Sequence, residues 1–174
     1  ADDGYQSNVG SSLFYSSRVY GLTGEDDAAG YDYQGWFRFT SITIPQGATI
    51  DYATMTVRST SDAFGSGTEN SIVYAVDEDD HVAPTNTSTW STDHGIHTSA
   101  SVAWDFSIVD NYGTVMNSPD ISSVIQEVVC RNGWASGNDI GLHWDENMGN
   151  IDRSQGWASW DSSSYTEPQL AIRY

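Results

Sequence analysis

Apolar and polar residues alternate along most of this chain, which is the period-2 pattern of half-buried β-strands. After a Pro-Gln-Gly turn at 45–47, Ala53, Met55 and Val57 share one face, and the residues between them point the other way. The same alternation recurs in short segments at 71–76, 101–106, 139–144, 156–161 and 169–174. Short strands separated by turn residues predict an all-β fold of the sandwich or barrel type.

One segment has a helical period instead. Its apolar residues fall at i, i+3, i+4, i+7 and i+8: Ile121, Val124, Ile125, Val128 and Val129. Ser118 is placed to cap the amino end, Pro119 suits the first helical position, and Asn132-Gly133 ends the segment. The pattern predicts one short helix near 119–131 that covers an end of the core. Cys130 lies on its apolar side and is therefore assigned to the core.

Length and charge restrict the functions of the chain. At 174 residues without an internal linker, the sequence predicts a single domain over 1–174. It has 24 Asp and Glu against 6 Arg and no lysine, for a formal net charge of -18, so we expect no nucleic-acid partner. No apolar run approaches the length of a membrane span, so we expect no membrane insertion. The start at Ala1-Asp2-Asp3 is compatible with a mature secreted protein, and we expect an extracellular location.

The strand-turn-strand "GWFRFTSITIPQGATIDYATMTV" (35–57) resembles the jelly-roll domains of the DNRLRE type. In that family an aromatic-Arg-Phe strand leads through "IP-x-GATI" into an "A-x-L-x-V" strand. The late helix and the closing "EPQLAIRY" (167–174) extend the resemblance over most of residues 31–174. The resemblance implies a jelly-roll β-sandwich, and similar sequences occur in carbohydrate-active, cell-surface and phage-particle proteins.

Acidic residues cluster in two stretches that follow strand-like segments. The first, at 24–32, contains Glu25, Asp26 and Asp27, and the second, at 77–81, contains Asp77, Asp79 and Asp80. Calcium takes six to eight oxygen ligands, and acidic loops with glycine supply them. These six carboxylates are therefore the candidate ligands of Ca²⁺, the one cofactor that the sequence suggests. The alternative is that both loops are merely solvated.

A search for catalytic groups favours a protein that is not an enzyme. The G-x-S-x-G pattern of a serine nucleophile is absent, although "GSG" occurs at 65–67. His94 and His97 have a spacing that suits metal ligands, but no third ligand is nearby in sequence. With so many carboxylates, some pair suitable for glycoside cleavage is expected by chance. A glycan hydrolase is therefore the least supported function.

Tryptophan, tyrosine and asparagine supply the remaining candidates. Trp134, Trp157 and Trp160 are candidate binding residues, with core packing as the alternative for each. Because Trp157 and Trp160 are three residues apart, alternation sends them to opposite faces, so one of them should be exposed. Asn86 begins an Asn-Thr-Ser sequon within a Ser- and Thr-rich stretch, 83–93, that we interpret as a polar loop open to glycosylation.

The amino-terminal segment 1–17 suggests how copies of the chain associate. Tyr5, Phe14 and Tyr15 give it apolar character, and the Gly- and Asp-rich stretch 21–35 after it predicts a flexible connection. In a jelly roll the first strand commonly lies beside the last, so this strand either folds back or fills the groove of a neighbouring copy. The favoured function is an extracellular structural subunit that forms a homo-oligomer or filament. The alternative is a carbohydrate-binding module with a glycan partner.

Overall fold

The structure is a computed structural model that describes residues 2–8, 13–26, 31–109, 111–147 and 152–174. Most of the described chain is β-structure. The strands are β1 (Asp3–Ser7), β2 (Leu13–Tyr15), β3 (Tyr20–Asp26), β4 (Tyr31–Phe39), β5 (Tyr52–Arg58), β6 (Thr68–Glu69), β7 (Ser71–Ala75), β8 (Val102–Ala103), β9 (Phe106–Ser107), β10 (Val115–Asn117), β11 (Ile140–Glu146), β12 (Arg153–Ala158) and β13 (Gln169–Arg173). Two helices, α1 (Thr87–Gly95) and α2 (Ser122–Val129), complete it.

The strands form two main layers of unequal size. The large sheet has the order β12-β3-β4-β11-β7-β8, and the β1–β2 hairpin joins it through antiparallel pairing of β1 with β4. The small sheet has the order β10-β5-β13, and β6 and β9 form a separate pair. The prediction of an all-β sandwich is confirmed.

The core lies between the sheets and contains the residues that the alternation selected. Ala53, Met55 and Val57 are fully buried, as predicted, whereas the residues between them are half-buried. Trp36 is buried as well, although it lies beside Phe37 and therefore on the opposite face, because Phe14 stacks on its ring at 5.7 Å. The Phe14 side chain of β2 thus shields Trp36 on the outer face of the large sheet.

The predicted helix forms as α2, but its first turn differs from the prediction. It begins at Ser122 rather than near 119, and Ser118 does not cap it, since the Ser118 hydroxyl accepts from Met55 N–H and donates to Pro119 O. Asp120 Oδ1 accepts the Ser122 N–H instead, at 2.9 Å. The apolar face of α2 is buried and contacts β5 and β7, so the helix closes the space between the sheets as expected. Cys130 is exposed, because it follows the last helical residue, and its assignment to the core was wrong.

The prediction of only one helix is wrong, because the Ser- and Thr-rich stretch forms α1. Asn86 Oδ1 accepts from Ser88 N–H and Thr89 N–H, and the Thr89 hydroxyl oxygen accepts the Asn86 N–H, which completes a capping box. Trp90 is the helix's large buried side chain. The segment has no apolar stripe, so its composition did not predict a helix. A single buried tryptophan and good capping stabilise the helix instead.

The amino-terminal strand folds onto its own domain. Tyr5 lies opposite Gly35 of β4, so β1 is not the neighbour of β13, and the prediction of that pairing is wrong. The stretch 21–35, predicted to be flexible, contributes most of β3 and the first half of β4, although residues 27–30 lie outside the described part. Exchange of β1 between copies stays a prediction. In the described part of the chain, neither helix is long and apolar enough to cross a membrane.

Candidate functional site

The second predicted calcium loop, which we call the loop cluster (Asp77, Asp79 and Asp80), has protein partners for its carboxylates. Arg131 forms ion pairs with two of them: its Nε lies 2.7 Å from Asp79 Oδ1, and its Nη1 contacts Asp77 Oδ1. These bonds raise the pKa of Arg131. Asp80 Oδ1 accepts the backbone N–H of Asp139 at 2.8 Å. An arginine therefore occupies the position that the sequence suggested for a cation.

The first predicted loop contributes to a different group of carboxylates. Glu25 of β3, Asp32 of β4 and Glu146 of β11 each offer an oxygen, and these oxygens lie within 4.8 Å of one another. Asp26 is not part of this group, and Asp27 lies outside the described residues. Asp32 belongs to the acidic stretch 24–32 but was not selected as a ligand. Glu146 was missed, because no local pattern shows that strands from different parts of the chain end together.

Strand pairing explains why these three residues meet. β11 pairs with β4 residues 35–39, whereas β3 pairs with β4 residues 31–33, which places Glu25 opposite Asp32. The Thr23 hydroxyl donates to the Trp144 carbonyl at 3.1 Å and connects β3 to β11 directly. The ends of β3 and β11 therefore meet beside Asp32, and Glu146 is two residues beyond Trp144.

A fourth acid, Glu69 of β6, is buried beside this group. Its side chain is 2% exposed, and its Oε1 lies 3.1 Å from the point that a β-carbon on Gly24 would occupy. Burial, together with the charges of Glu146 and Glu25, raises the pKa of Glu69 to about 8. We call Glu25, Asp32, Glu69 and Glu146 the strand cluster.

Five tyrosines converge on a cleft of about 250 Å³ in the β1–β4 region: Tyr5, Tyr15, Tyr20, Tyr31 and Tyr33. Tyr15 stacks on Tyr5 at 4.7 Å between ring centroids, and the Arg18 guanidinium lies 4.6 Å above the Tyr15 ring. We call this surface the tyrosine cleft. Tyr15 is half-buried in it, whereas Tyr5 is only 4% exposed, so the assignment of Tyr5 as a binding residue was wrong. Phe14 points away from it and packs on Trp36.

Among the three candidate tryptophans, only Trp160 is exposed. Trp134 is 3% exposed, and its Nε1 donates to the Ile44 carbonyl at 3.0 Å. Trp157 is fully buried with its ring centroid 4.5 Å from that of Phe37. Neither can stack on a ligand, so their assignment as binding residues was wrong. The prediction that one of Trp157 and Trp160 is exposed is confirmed.

Trp160 lines a second surface, at the edge of the small sheet. It shares a cleft of about 270 Å³ with Phe39, Ile42 and Leu170, and Arg38 supplies a charge. Leu170 belongs to β13, which pairs with β5 and with none of the other described strands. We call this cleft together with the free side of β13 the β13 edge.

All four histidines lie in or around a polar network beneath α1, which the sequence analysis missed. His94 Nε2 is 2.7 Å from Asp145 Oδ2, and the Tyr74 hydroxyl donates to the same oxygen. His143 stacks on Tyr74, and burial lowers the pKa of His143 to about 3. Among the described residues, Asp145 Oδ1 and His143 Nδ1 have no hydrogen-bond partner. Local sequence could not reveal this network, because its members come from β7, β11 and α1.

Asn86, the predicted glycosylation site, is exposed, but its side chain forms the hydrogen bonds that cap the amino end of α1. Its Nδ2, the atom that carries an N-linked glycan, donates to Thr85 Oγ1 at 3.3 Å. Glycosylation of Asn86 stays a prediction.

The sequence matches no known protein-family model, and a comparison with curated proteins finds no significant relative. The resemblance to the DNRLRE-type domains therefore stays a prediction.

Proposed function

We propose that this chain is a non-catalytic extracellular structural subunit that associates with copies of itself through the β13 edge. The observation that carries the proposal is a strand with a free side next to an apolar cleft. Natural proteins commonly protect such edges with lysine, proline or a bulge. The five residues of β13 include neither lysine nor proline.

The backbone of β13 is oriented for pairing with another strand. Asp51 N–H donates to the Arg173 carbonyl at 2.8 Å, so this carbonyl faces β5. Because successive residues of a strand alternate, the N–H and C=O groups of Leu170 and Ile172 are directed to the free side. A strand from a second copy would pair with these groups by β-augmentation.

Exposed aromatic rings flank this edge and supply contact area. Trp160 is 56% exposed and Tyr174 is 57% exposed, and Tyr52 lies opposite Arg173. Large aromatic side chains contribute much of the binding energy in protein interfaces. The net charge of -18 opposes association, so we expect assembly to strengthen at physiological salt, where repulsion beyond about 8 Å is screened.

The test compares Ala171→Asp with Ala135→Asp. Both alanines are exposed, but Ala171 lies in β13 and Ala135 lies in the loop before β11. We expect the wild type and Ala135→Asp to form polymers by light scattering and electron microscopy, and Ala171→Asp to remain monomeric with an unchanged circular dichroism spectrum. A wild type that stays monomeric at high concentration, or equal assembly of both variants, contradicts the proposal.

The tyrosine cleft favours a second candidate function, carbohydrate binding. Tyrosine rings stack on the apolar faces of sugars, and Arg18 supplies hydrogen-bond donors at the same cleft. Titration with soluble polysaccharides tests this function by comparing Tyr15→Ala with Tyr52→Ala, which removes a tyrosine from the other sheet. Saturable binding that only Tyr15→Ala weakens supports the carbohydrate-binding module, whereas no binding to any polysaccharide rejects it.

A further inference from the structure

The spacing of the carboxylates in the strand cluster matches the coordination sphere of one cation. Oxygens that bind Ca²⁺ lie about 2.3–2.6 Å from the ion. Two such oxygens on opposite sides of one ion are therefore separated by at most about 5 Å. The oxygens of Glu25, Asp32 and Glu146 meet this limit, since all lie within 4.8 Å of one another.

Glu69 is an independent sign of a ligand at this place. A carboxylate that is 98% buried is costly unless it is paired or coordinates a metal. Among the residues that the structure describes, none donates a hydrogen bond to its side chain. The carboxylate lies against Gly24, the neighbour of Glu25, and the charges of Glu146 and Glu25 act on it. This buried acid thus lies beside two of the three acids of the group, Glu25 and Glu146.

The nearby arginine does not occupy the centre of the strand cluster. Arg153 lies opposite Glu25 in the β3–β12 pair, but its Nε and Nη1 donate to the carbonyls of Ser66 and Thr68, each at 2.6 Å. This differs from the loop cluster, where the guanidinium of Arg131 is bonded to the carboxylates themselves. The charge of Arg153 nevertheless opposes the rise in the pKa of Glu69 that burial causes, and Asn8 Nδ2 donates to Asp32 Oδ2. The strand cluster therefore places four carboxyl groups beside a single arginine.

The donor chemistry indicates which cation fits. All four side chains offer oxygen, which suits hard cations rather than the zinc or copper that imidazole and thiolate prefer. Ca²⁺ accepts several carboxylates in an irregular arrangement, whereas Mg²⁺ requires near-octahedral geometry and usually keeps several waters. We propose that Glu25, Asp32 and Glu146 bind one Ca²⁺ ion, with Glu69 as a fourth ligand or as the buried charge beneath it.

Bound Ca²⁺ would join three strands that are separated in sequence. β3, β4 and β11 would be held at the point where β3 replaces β11 as the partner of β4. The site is distinct from the β13 edge and from the tyrosine cleft, so the proposal does not depend on the function of either surface. Its consequence is a domain that is stabilised by calcium.

The experiment measures thermal unfolding of chelator-treated, desalted protein with Ca²⁺ or Mg²⁺ added. Ca²⁺ at about 100 times its Kd should raise the Tm of the wild type by roughly 5–10 °C, with a smaller shift for Mg²⁺. We expect Glu146→Gln and Asp32→Asn each to abolish most of the shift, and Asp79→Asn, the matched change in the loop cluster, to retain it. Terbium luminescence, excited through tryptophan and tyrosine and displaced by Ca²⁺, gives a readout on the wild type that does not depend on the folding of any variant.

Each outcome decides the proposal. A shift that Glu146→Gln or Asp32→Asn removes and Asp79→Asn retains supports it. A wild type with neither a Tm shift nor terbium binding overturns it. A shift that survives in both Glu146→Gln and Asp32→Asn, or one that Asp79→Asn removes, assigns calcium to another place and also overturns it.

Discussion

The loop cluster and the strand cluster are both acidic, yet their carboxylates have different partners. In the loop cluster, Asp77 and Asp79 are roughly 40% exposed and share Arg131, which comes from the turn after α2. In the strand cluster, Glu69 is buried, and no described residue donates a hydrogen bond to it. The number of acids in a stretch therefore does not predict a cation site. A cation site also depends on whether the fold brings an arginine to the same carboxylate oxygens.

Asp3 sharpens this comparison, because it is a buried acid without an arginine and outside both clusters. It is 3% exposed, and burial raises the pKa of Asp3 to about 7, although a backbone bond from Trp160 N–H opposes the shift. A raised pKa means that the folded state keeps the proton longer than the unfolded state. The contribution of protonated Asp3 to the free energy of unfolding is therefore complete below pH 4 and is lost as the pH rises to about 7.

The largest effect is expected for Asp3→Asn, which cannot ionise. Relative to this variant, the wild type should lose up to about 4 kcal/mol of unfolding free energy between pH 4 and pH 7.5, since each unit of pKa shift corresponds to about 1.4 kcal/mol. Urea unfolding at a series of pH values measures the difference. If the two pH profiles run parallel, Asp3 is ionised in the folded protein and burial alone does not explain its environment.

The variant Arg131→Gln tests whether the loop cluster becomes a cation site once its arginine is removed. Removing the guanidinium leaves Asp77 and Asp79 without their counter-charge. Because all three side chains are partly exposed, we expect the free energy of unfolding to fall by only about 1 kcal/mol. We also expect the variant to gain a Ca²⁺-dependent rise in Tm, which is best measured in a Glu146→Gln background where the strand cluster is disabled.

The matched control for this variant is Arg173→Gln. It removes an arginine that is 71% exposed and 3.9 Å from Asp51, so it changes the net charge equally without opening the loop cluster. We expect no new calcium response from it. A calcium response in both variants would mean that net charge, and not the vacated carboxylates, controls cation binding.

The smallest effect is expected for Asp80→Asn. Asp80 contributes an acceptor for Asp139 N–H, and an amide oxygen can accept the same bond. The unfolding free energy should therefore change by less than about 0.5 kcal/mol. Asp80→Ala, which removes the acceptor, should be the more destabilising of the two in chemical denaturation. Equal losses for both variants would show that the charge of Asp80 matters and that the loop cluster uses it electrostatically.

Local patterns were sufficient to predict a strand or helix when one of its faces is buried and the other is more exposed. The alternation around Met55 predicted the core strand β5, and the helical period of Val124 and Val128 predicted α2. The spacing of Trp157 and Trp160 correctly predicted that one is exposed. The first two predictions succeed because side-chain direction follows directly from the backbone repeat. Trp160 is exposed for a different reason, since it lies in the turn after β12, which ends at Ala158.

Long-range contacts decided the candidate sites. Arg131 reaches Asp77 across 54 positions, and nothing near either residue signals the pair. Glu25 was grouped with Asp26 and Asp27, whereas the structure groups it with Asp32 of the next strand and with Glu146 of the distant β11. A segment's own composition cannot specify which side chain from elsewhere will share its space.

The sequence by itself determined the all-β class, the buried faces of the main strands and the amphipathic α2, because each follows from a period of two or 3.6 residues. Tertiary structure alone decided that polar α1 forms, that β1 joins β4 and that Trp134 lies in the core. It also decided which acids are neutralised by arginine and which face one another. Coulombic and hydrogen-bond partners depend on distances of a few ångströms between chain-distant residues, and only the packed strands set those distances.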